Sequence, residues 1–277
     1  MKDMGLIEEG WVLSERDAPA WDTLSAREKD NHRRRMEVYA AQIDRMDQGV
    51  GRIVEALNGT GQLDDTLVLF LADNGGCAEA QGDDDVTDAL GSVDSAQSYR
   101  TPWANVSNTP FRLYKHWTHE GGIAAPLIVH WPAEIEGAGD FRRDPAHLID
   151  VMPTLVELAG TRYPRFLDDR EVPPMEGVSL VPTFEGLPLG ERALFFEHEA
   201  HRAVRRGRWK LVANGIDGPW ELYDVERDRS ETRDLAATRP TVAAELAGLW
   251  TAWATRADVL PLDGAGWYER IERFTDE

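Results

Sequence analysis

Two short stretches carry the residue types best suited to chemistry. Asp73-Asn74-Gly75-Gly76 follows the apolar run Thr66–Ala72 and places a carboxylate beside an amide oxygen. Such a hard-oxygen pair suits Ca²⁺ or Mg²⁺. The same two side chains also suit a strand-to-turn cap, accepting hydrogen bonds from nearby backbone amides. The second stretch runs from Asn108 through Lys115 to Glu120-Gly121-Gly122 and mixes cations, aromatics and a glycine pair. A lysine there serves either as a point charge for an anion or as a solvated loop side chain. His116, His119, His198 and His201 titrate near neutral pH, but none belongs to an HExxH or other zinc-like spacing. Structural or substrate-contacting roles are expected for them. Cys77, in Gly76-Cys77-Ala78-Glu79-Ala80, is expected to be an unmodified loop thiol.

These stretches need elements to position them. Ser25 followed by Glu28 is a capping-box pattern, and Met36, Tyr39, Ala40, Ile43, Met46, Val50, Ile53, Val54 and Leu57 then recur at helical spacing up to Gly59 and Gly61. The spacing predicts a long helix packed on a sheet. Residues 66–72 read as a central strand buried on both faces, with Asp73 and Asn74 at its carboxyl end, where ligands bind in open α/β sheets. Residues 77–108 are acidic, small and aperiodic, including Asp83-Asp84-Asp85, and read as a long surface loop. A second buried strand is expected at 125–131. Asp150, Pro153 and Gly160 then bracket a short helix. Alternating runs at 194–197, 202–212 and 220–225 predict a small antiparallel sheet. An amphipathic helix at 241–255 and a tail with Trp267 and Tyr268 complete the chain.

Composition bounds what partners this chain can take. With 277 residues and 42% hydrophobic content it can bury a sizeable core. Its 30 Lys and Arg against 50 Asp and Glu give a formal charge of −20, which argues against nucleic acid or an anionic membrane as a general electrostatic partner. No stretch is apolar for long enough to predict a membrane span, and a single cysteine excludes an intrachain disulfide.

Taken together, the chain resembles the sulfatase family of the alkaline-phosphatase-like superfamily. The resemblance rests on Tyr39 through Asp47, on Ala72-Asp73-Asn74-Gly75-Gly76, and on Lys115 through Glu120-Gly121-Gly122 before Pro126. It continues through Asp150-Val151-Met152-Pro153-Thr154-Leu155 with Gly160, then Trp209-Lys210-Leu211 and Glu221-Leu222-Tyr223-Asp224. The resemblance implies Asp73 and Asn74 as ligands of a divalent cation, usually Ca²⁺. It implies Lys115 as the cation that contacts sulfate and the ester oxygen, and His198 as a substrate contact at the rim. It also implies a formylglycine nucleophile made from a C/S-x-P-x-R motif, which these residues do not contain.

The expected architecture is α/β. An incomplete alkaline-phosphatase-like mixed or parallel sheet flanked by helices is expected over 1–160, and a small α+β subdomain with an antiparallel sheet over 161–277. The expected activity of the parent is hydrolysis of aryl or carbohydrate sulfate esters, with this chain inactive alone and a complementary N-terminal sulfatase segment as its partner. The alternatives are a phosphonate monoester or phosphodiester hydrolase of the same superfamily, and a non-catalytic module derived from a sulfatase. The signal for export, if any, is not legible in these residues.

Overall fold

The first long helix begins where Ser25 and Glu28 cap it reciprocally. In the computed structural model, which describes residues 1–82, 85, 86, 89–266 and 269, the Ser25 amide donates to Glu28 Oε2 at 2.8 Å. The Glu28 amide donates back to Ser25 Oγ at 3.3 Å, so two otherwise orphaned amides are satisfied. Helix α1 then runs Ala26–Gly59. Strand β1 (Val68–Leu71) follows, then helices α2 (Arg100–Ser107) and α3 (Glu120–Ile123) and strand β2 (Leu127–His130). Asp83 and Asp84 of the acidic triplet, and Trp267 and Tyr268 of the tail, lie outside the described residues.

Three expectations change here. The stripe of α1 does not pack on a sheet along its length: Ile43, Met46 and Ile53 are exposed. Its N-terminal half instead meets the segment leading into α2. There Arg35 donates to the Ser98 carbonyl at 2.7 Å, Trp103 Nε1 to the His32 carbonyl at 2.8 Å, and Tyr39 stacks on Tyr99 at 4.6 Å. That segment is the second change, because the last part of 77–108 is helical. Its helix-forming signal is masked by acidic, small residues upstream. Third, β1 pairs with β2 in a two-stranded sheet, leaving Phe70, Leu71 and Ile128 exposed. An apolar run records the burial a strand is suited to, and two strands supply too little surface to provide it.

The contacts group into two units, one of Met1–Arg52, Leu71–Leu127 and Ala193–Glu277, the other of Ile53–Phe70 and Ile128–Arg192. In the second, a 3₁₀ turn at Leu148–Asp150 leads into α4 (Val151–Leu158), with Pro153 in the first turn as expected. Asp150 is fully buried and its carboxylate accepts from Arg192 and from the backbone amides of His147 (2.7 Å) and Val178 (3.0 Å). Gly160 ends the helix at φ +58°, a conformation that favours glycine. Two-residue strands β3 (Phe166–Leu167) and β4 (Arg170–Glu171) and helix α5 (Val181–Phe184) complete this unit.

The first unit holds the expected antiparallel sheet, in the order β5 (Ala193–His198), β6 (His201–Arg206), β7 (Trp209–Ala213), β8 (Glu221–Asp224). The single run predicted at 202–212 is two strands turning at Gly207-Arg208. Register sets Val204 opposite Leu211 and Leu211 opposite Leu222. Because side chains alternate along a strand, these three share one face and pack with Leu246, Trp250 and Ala254 of α6 (Pro240–Arg256). Trp250 Nε1 also donates to the Phe196 carbonyl at 3.1 Å. The opposite face carries Ala203, Val212 and Tyr223 together with Lys210 and Glu221. The polar residues of that second face hold the candidate site.

Candidate active site

Lys115 sits on the loop between α2 and α3, and this loop is tied down at both ends. On one side, Glu221 of β8 accepts from Arg112 (3.0 Å) and from Tyr223 Oη (2.6 Å), and lies 3.3 Å from His119 Nε2. Hydrogen bonding from His119, helped by Tyr223 and Arg112 against the cost of burial, lowers the Glu221 pKa to about 2. On the other side, Glu120 is buried and pairs with Lys210 Nζ at 3.0 Å and with Arg229. Lys210 also pairs with Glu231 at 2.8 Å, and Glu231 accepts the Glu120 amide at 2.7 Å. Burial alone would raise the Glu120 pKa, but Lys210 and Arg229 reverse this and hold the carboxylate well below its usual range.

The glycine pair after Glu120 is a matter of space. A Cβ on Gly121 would lie 2.1 Å from the Leu113 carbonyl oxygen, and one on Gly122 would lie 1.9 Å from that of Trp117. Only glycine lets the loop backbone fold this closely over α3. The turn after β1 is pressed against the same segment: a Cβ on Gly75 would meet the Gly121 oxygen at 1.8 Å. The Gly75 amide donates to the Gly122 carbonyl and the Lys115 amide to the Gly76 carbonyl, both at 3.0 Å. The Gly76 amide donates to Asn108 Oδ1 at 3.1 Å. Backbone bonds therefore hold the Asp73-Asn74 turn beside Lys115.

Asp73 is exposed and Asn74 half-buried, while Lys115 is about one-third exposed and pairs with Glu79 at 2.8 Å. The hydrogen bond to Glu79 raises the Lys115 pKa, with further contributions from Cys77 and Asp73, and lowers that of Glu79. Cys77 is a free thiol. His119 is fully buried against Glu221 and has a structural place. His198 is exposed at the end of β5, opposite His201 in register and 5.3 Å from the His116 ring.

Residues that sequence reasoning missed are the anchors. Glu120, Lys210, Glu221, Arg229 and Glu231 were motif letters or unremarked charges, yet they fix the loop. The available signal was a lysine at an inward position between apolar residues of β7, which needs a buried carboxylate somewhere in the fold.

A family model described as Sulfatase matches residues 13–161, more than half of the chain, and one described as N-sulphoglucosamine sulphohydrolase, C-terminal, matches residues 111–247. An uncharacterized sulfatase of Schizosaccharomyces pombe is 32% identical over 94% of this chain and 51% of its own length. An arylsulfatase of Klebsiella aerogenes is 34% identical over 65% of this chain and 41% of its own. The chain thus spans about half the length, or less, of these curated relatives. Among solved structures, Ps i-CgsB superposes with a TM-score of 0.58 at 24% identity, covering 84% of this chain and 44% of that one. A protein solved with its substrate D-glucosamine-2-N,6-O-disulfate gives 0.53 at 20% identity, over 78% and 40%. These neighbours share the fold of the alkaline-phosphatase-like superfamily, and with the family model matching more than half its length the chain belongs to the sulfatase family.

Proposed function

We propose that this chain supplies the cation-holding and sulfate-holding part of a sulfate ester hydrolase site. The observation that carries this reading is the pair of backbone hydrogen bonds, Gly75 to Gly122 and Lys115 to Gly76, which keep Asp73, Asn74 and Lys115 on one rigid turn-and-loop assembly. Residues 1–160 provide these three side chains, and residues 161–277 provide the carboxylates and cations that fix the loop.

Asp73 and Asn74 fit a divalent cation such as Ca²⁺ in kind, since both offer hard oxygens, and they supply two of the about 6–8 that Ca²⁺ takes. Exposure of Asp73 leaves room for further ligands. A cation held there would polarise the sulfate oxygens, and formylglycine would supply the nucleophile. Lys115, kept protonated by its surroundings, stabilises charge growing on the sulfate and on the departing oxygen. An arriving sulfate has to displace Glu79 from it. His198 stands as a rim contact for the alcohol portion of an aryl or carbohydrate sulfate.

The remaining carboxylates and the nucleophile belong to a complementary sulfatase segment. The exposed stripe of α1 and the edges of β1 and β2 that are unpaired among the described residues are the surfaces suited to receive it. The test joins the 277 residues to a sulfatase segment bearing formylglycine and follows 4-nitrophenyl sulfate. Lys115→Ala should lower kcat by about 10²–10³-fold, and unchanged turnover would remove Lys115 from the reaction.

A further inference from the structure

The hairpin joining β5 and β6 has a turn whose residues do not match its geometry. His198 pairs with His201, so Glu199 and Ala200 alone make the turn, and both have positive φ, +49° and +67°. That is the conformation of a type I′ turn, which favours Asn, Asp or Gly. On the loop facing this turn, His116 has φ +91°. Non-glycine residues held in such conformations mark places where a side chain is kept for what it does.

Two of those side chains, His116 and Glu199, converge with His198. His116, His198 and Glu199 each offer a ligand atom, and all three atoms lie within 4.8 Å of one another. His116 Nδ1 is already 3.1 Å from Glu199 Oε2. In tetrahedral zinc sites, bonds of about 2.0–2.2 Å place ligand atoms roughly 3.4 Å apart, so rotation of the exposed His198 and half-buried His116 side chains, bringing ligand atoms about 1.4 Å closer, closes the set. Two imidazoles and one carboxylate differ in kind from the all-oxygen pair of Asp73 and Asn74, and they suit Zn²⁺ or a neighbouring first-row dication.

His201 packs on His116 at a ring distance of 4.8 Å but does not join the ligands. Its Nδ1 accepts the Gly215 amide at 3.3 Å, which assigns its proton to Nε2. It thus backs the cluster without joining it.

We propose that His116, His198 and Glu199 form a second metal site, selective for a divalent transition-metal ion of the Zn²⁺ class and separate in ligand chemistry from the Asp73-Asn74 pair. Three protein ligands leave a coordination position open to water or to an anionic oxygen. The site goes beyond the proposed hydrolase reading and does not depend on it.

The experiment titrates the 277-residue chain with Co²⁺ in excess Ca²⁺, follows the visible bands of nitrogen-coordinated Co²⁺, and then displaces it with Zn²⁺. Saturable bands reversed by Zn²⁺ are expected. His198→Ala and Glu199→Gln should each weaken binding at least about tenfold, whereas Asp73→Ala should leave it unchanged. Absence of bands, equal affinity in all variants, or loss only in Asp73→Ala would each overturn the site. Circular dichroism confirms that the variants fold, and Glu199→Gln keeps the test decisive if His198→Ala does not. No turnover is read, so failure here is distinguishable from failure of the hydrolase reading.

Discussion

The antiparallel sheet with α6 and the region of α1, β1 and β2 both carry apolar patterns suited to burial, but they differ in how much of it is buried. Val204, Leu211, Leu222, Leu246 and Ala254 are wholly inaccessible, whereas Ile53 and Ile128 are 64% and 60% exposed. The sheet finds its covering helix within its own next few dozen residues. The β1–β2 pair has no third strand among the described residues. Periodicity therefore reports which side chains are suited to burial, and topology decides whether the same chain buries them. The contrast also places stability: the face that anchors Lys115 belongs to the self-sufficient region.

The sharpest way to break this contrast is to attack the anchors. Lys210→Met leaves Glu120 and Glu231 buried with one fewer cation, and removing one partner of a buried network costs about 3–5 kcal/mol. Urea denaturation should show this loss, together with increased proteolysis at the 112–122 loop. A cost under about 1 kcal/mol, within the range of exposed pairs, would mean that the loop is held some other way. Next in size is Leu222→Ala, which empties part of the α6-facing core and should cost about 3 kcal/mol. A much smaller value would show that this core is not continuous.

Acid tests the second anchor. The folded pKa of Glu221 is depressed from 4.5 to about 2, chiefly by the His119 hydrogen bond. A depressed carboxylate contributes stability that is fully present above its unfolded pKa and is lost as pH falls through the folded one. Urea midpoints should thus decline between about 4.5 and about 2. Glu221→Gln should start from a lower midpoint and flatten that part of the decline. An identical acid profile in wild type and variant would remove Glu221 from the anchoring set.

Much of the fold was legible because its signals are local. Ser25 and Glu28 marked the start of α1, Pro153 and Gly160 bracketed α4, and alternation located the antiparallel sheet but not the turn that divides β6 from β7. Asp73, Asn74 and Lys115 were legible as motif positions, and the backbone bonds that join them explain the glycines around them. What escaped was long-range: Glu120 meets Lys210 across 90 residues of sequence, and His116 meets His198 and Glu199 through the hairpin turn. No spacing rule reaches so far, because the partner is chosen by strand register. The helix within 77–108 escaped for the opposite reason, since a short element takes its stability from contacts such as Trp103 with the His32 carbonyl more than from its own propensity.

The smallest expected effect is the most direct test of the exposed region. Ile53 is on the apolar stripe of α1 and 64% exposed, so Ile53→Ala removes little buried surface and should change stability by no more than about 0.5 kcal/mol. Alanine also favours a helix slightly over isoleucine, which offsets part of the lost contact. Leu222→Ala, at an equally apolar position, should cost several times more. If Ile53→Ala instead cost about 2 kcal/mol, as an internal isoleucine would, the stripe would be covered in solution. The difference between the two regions would then be one of which surface does the covering, no longer one of burial.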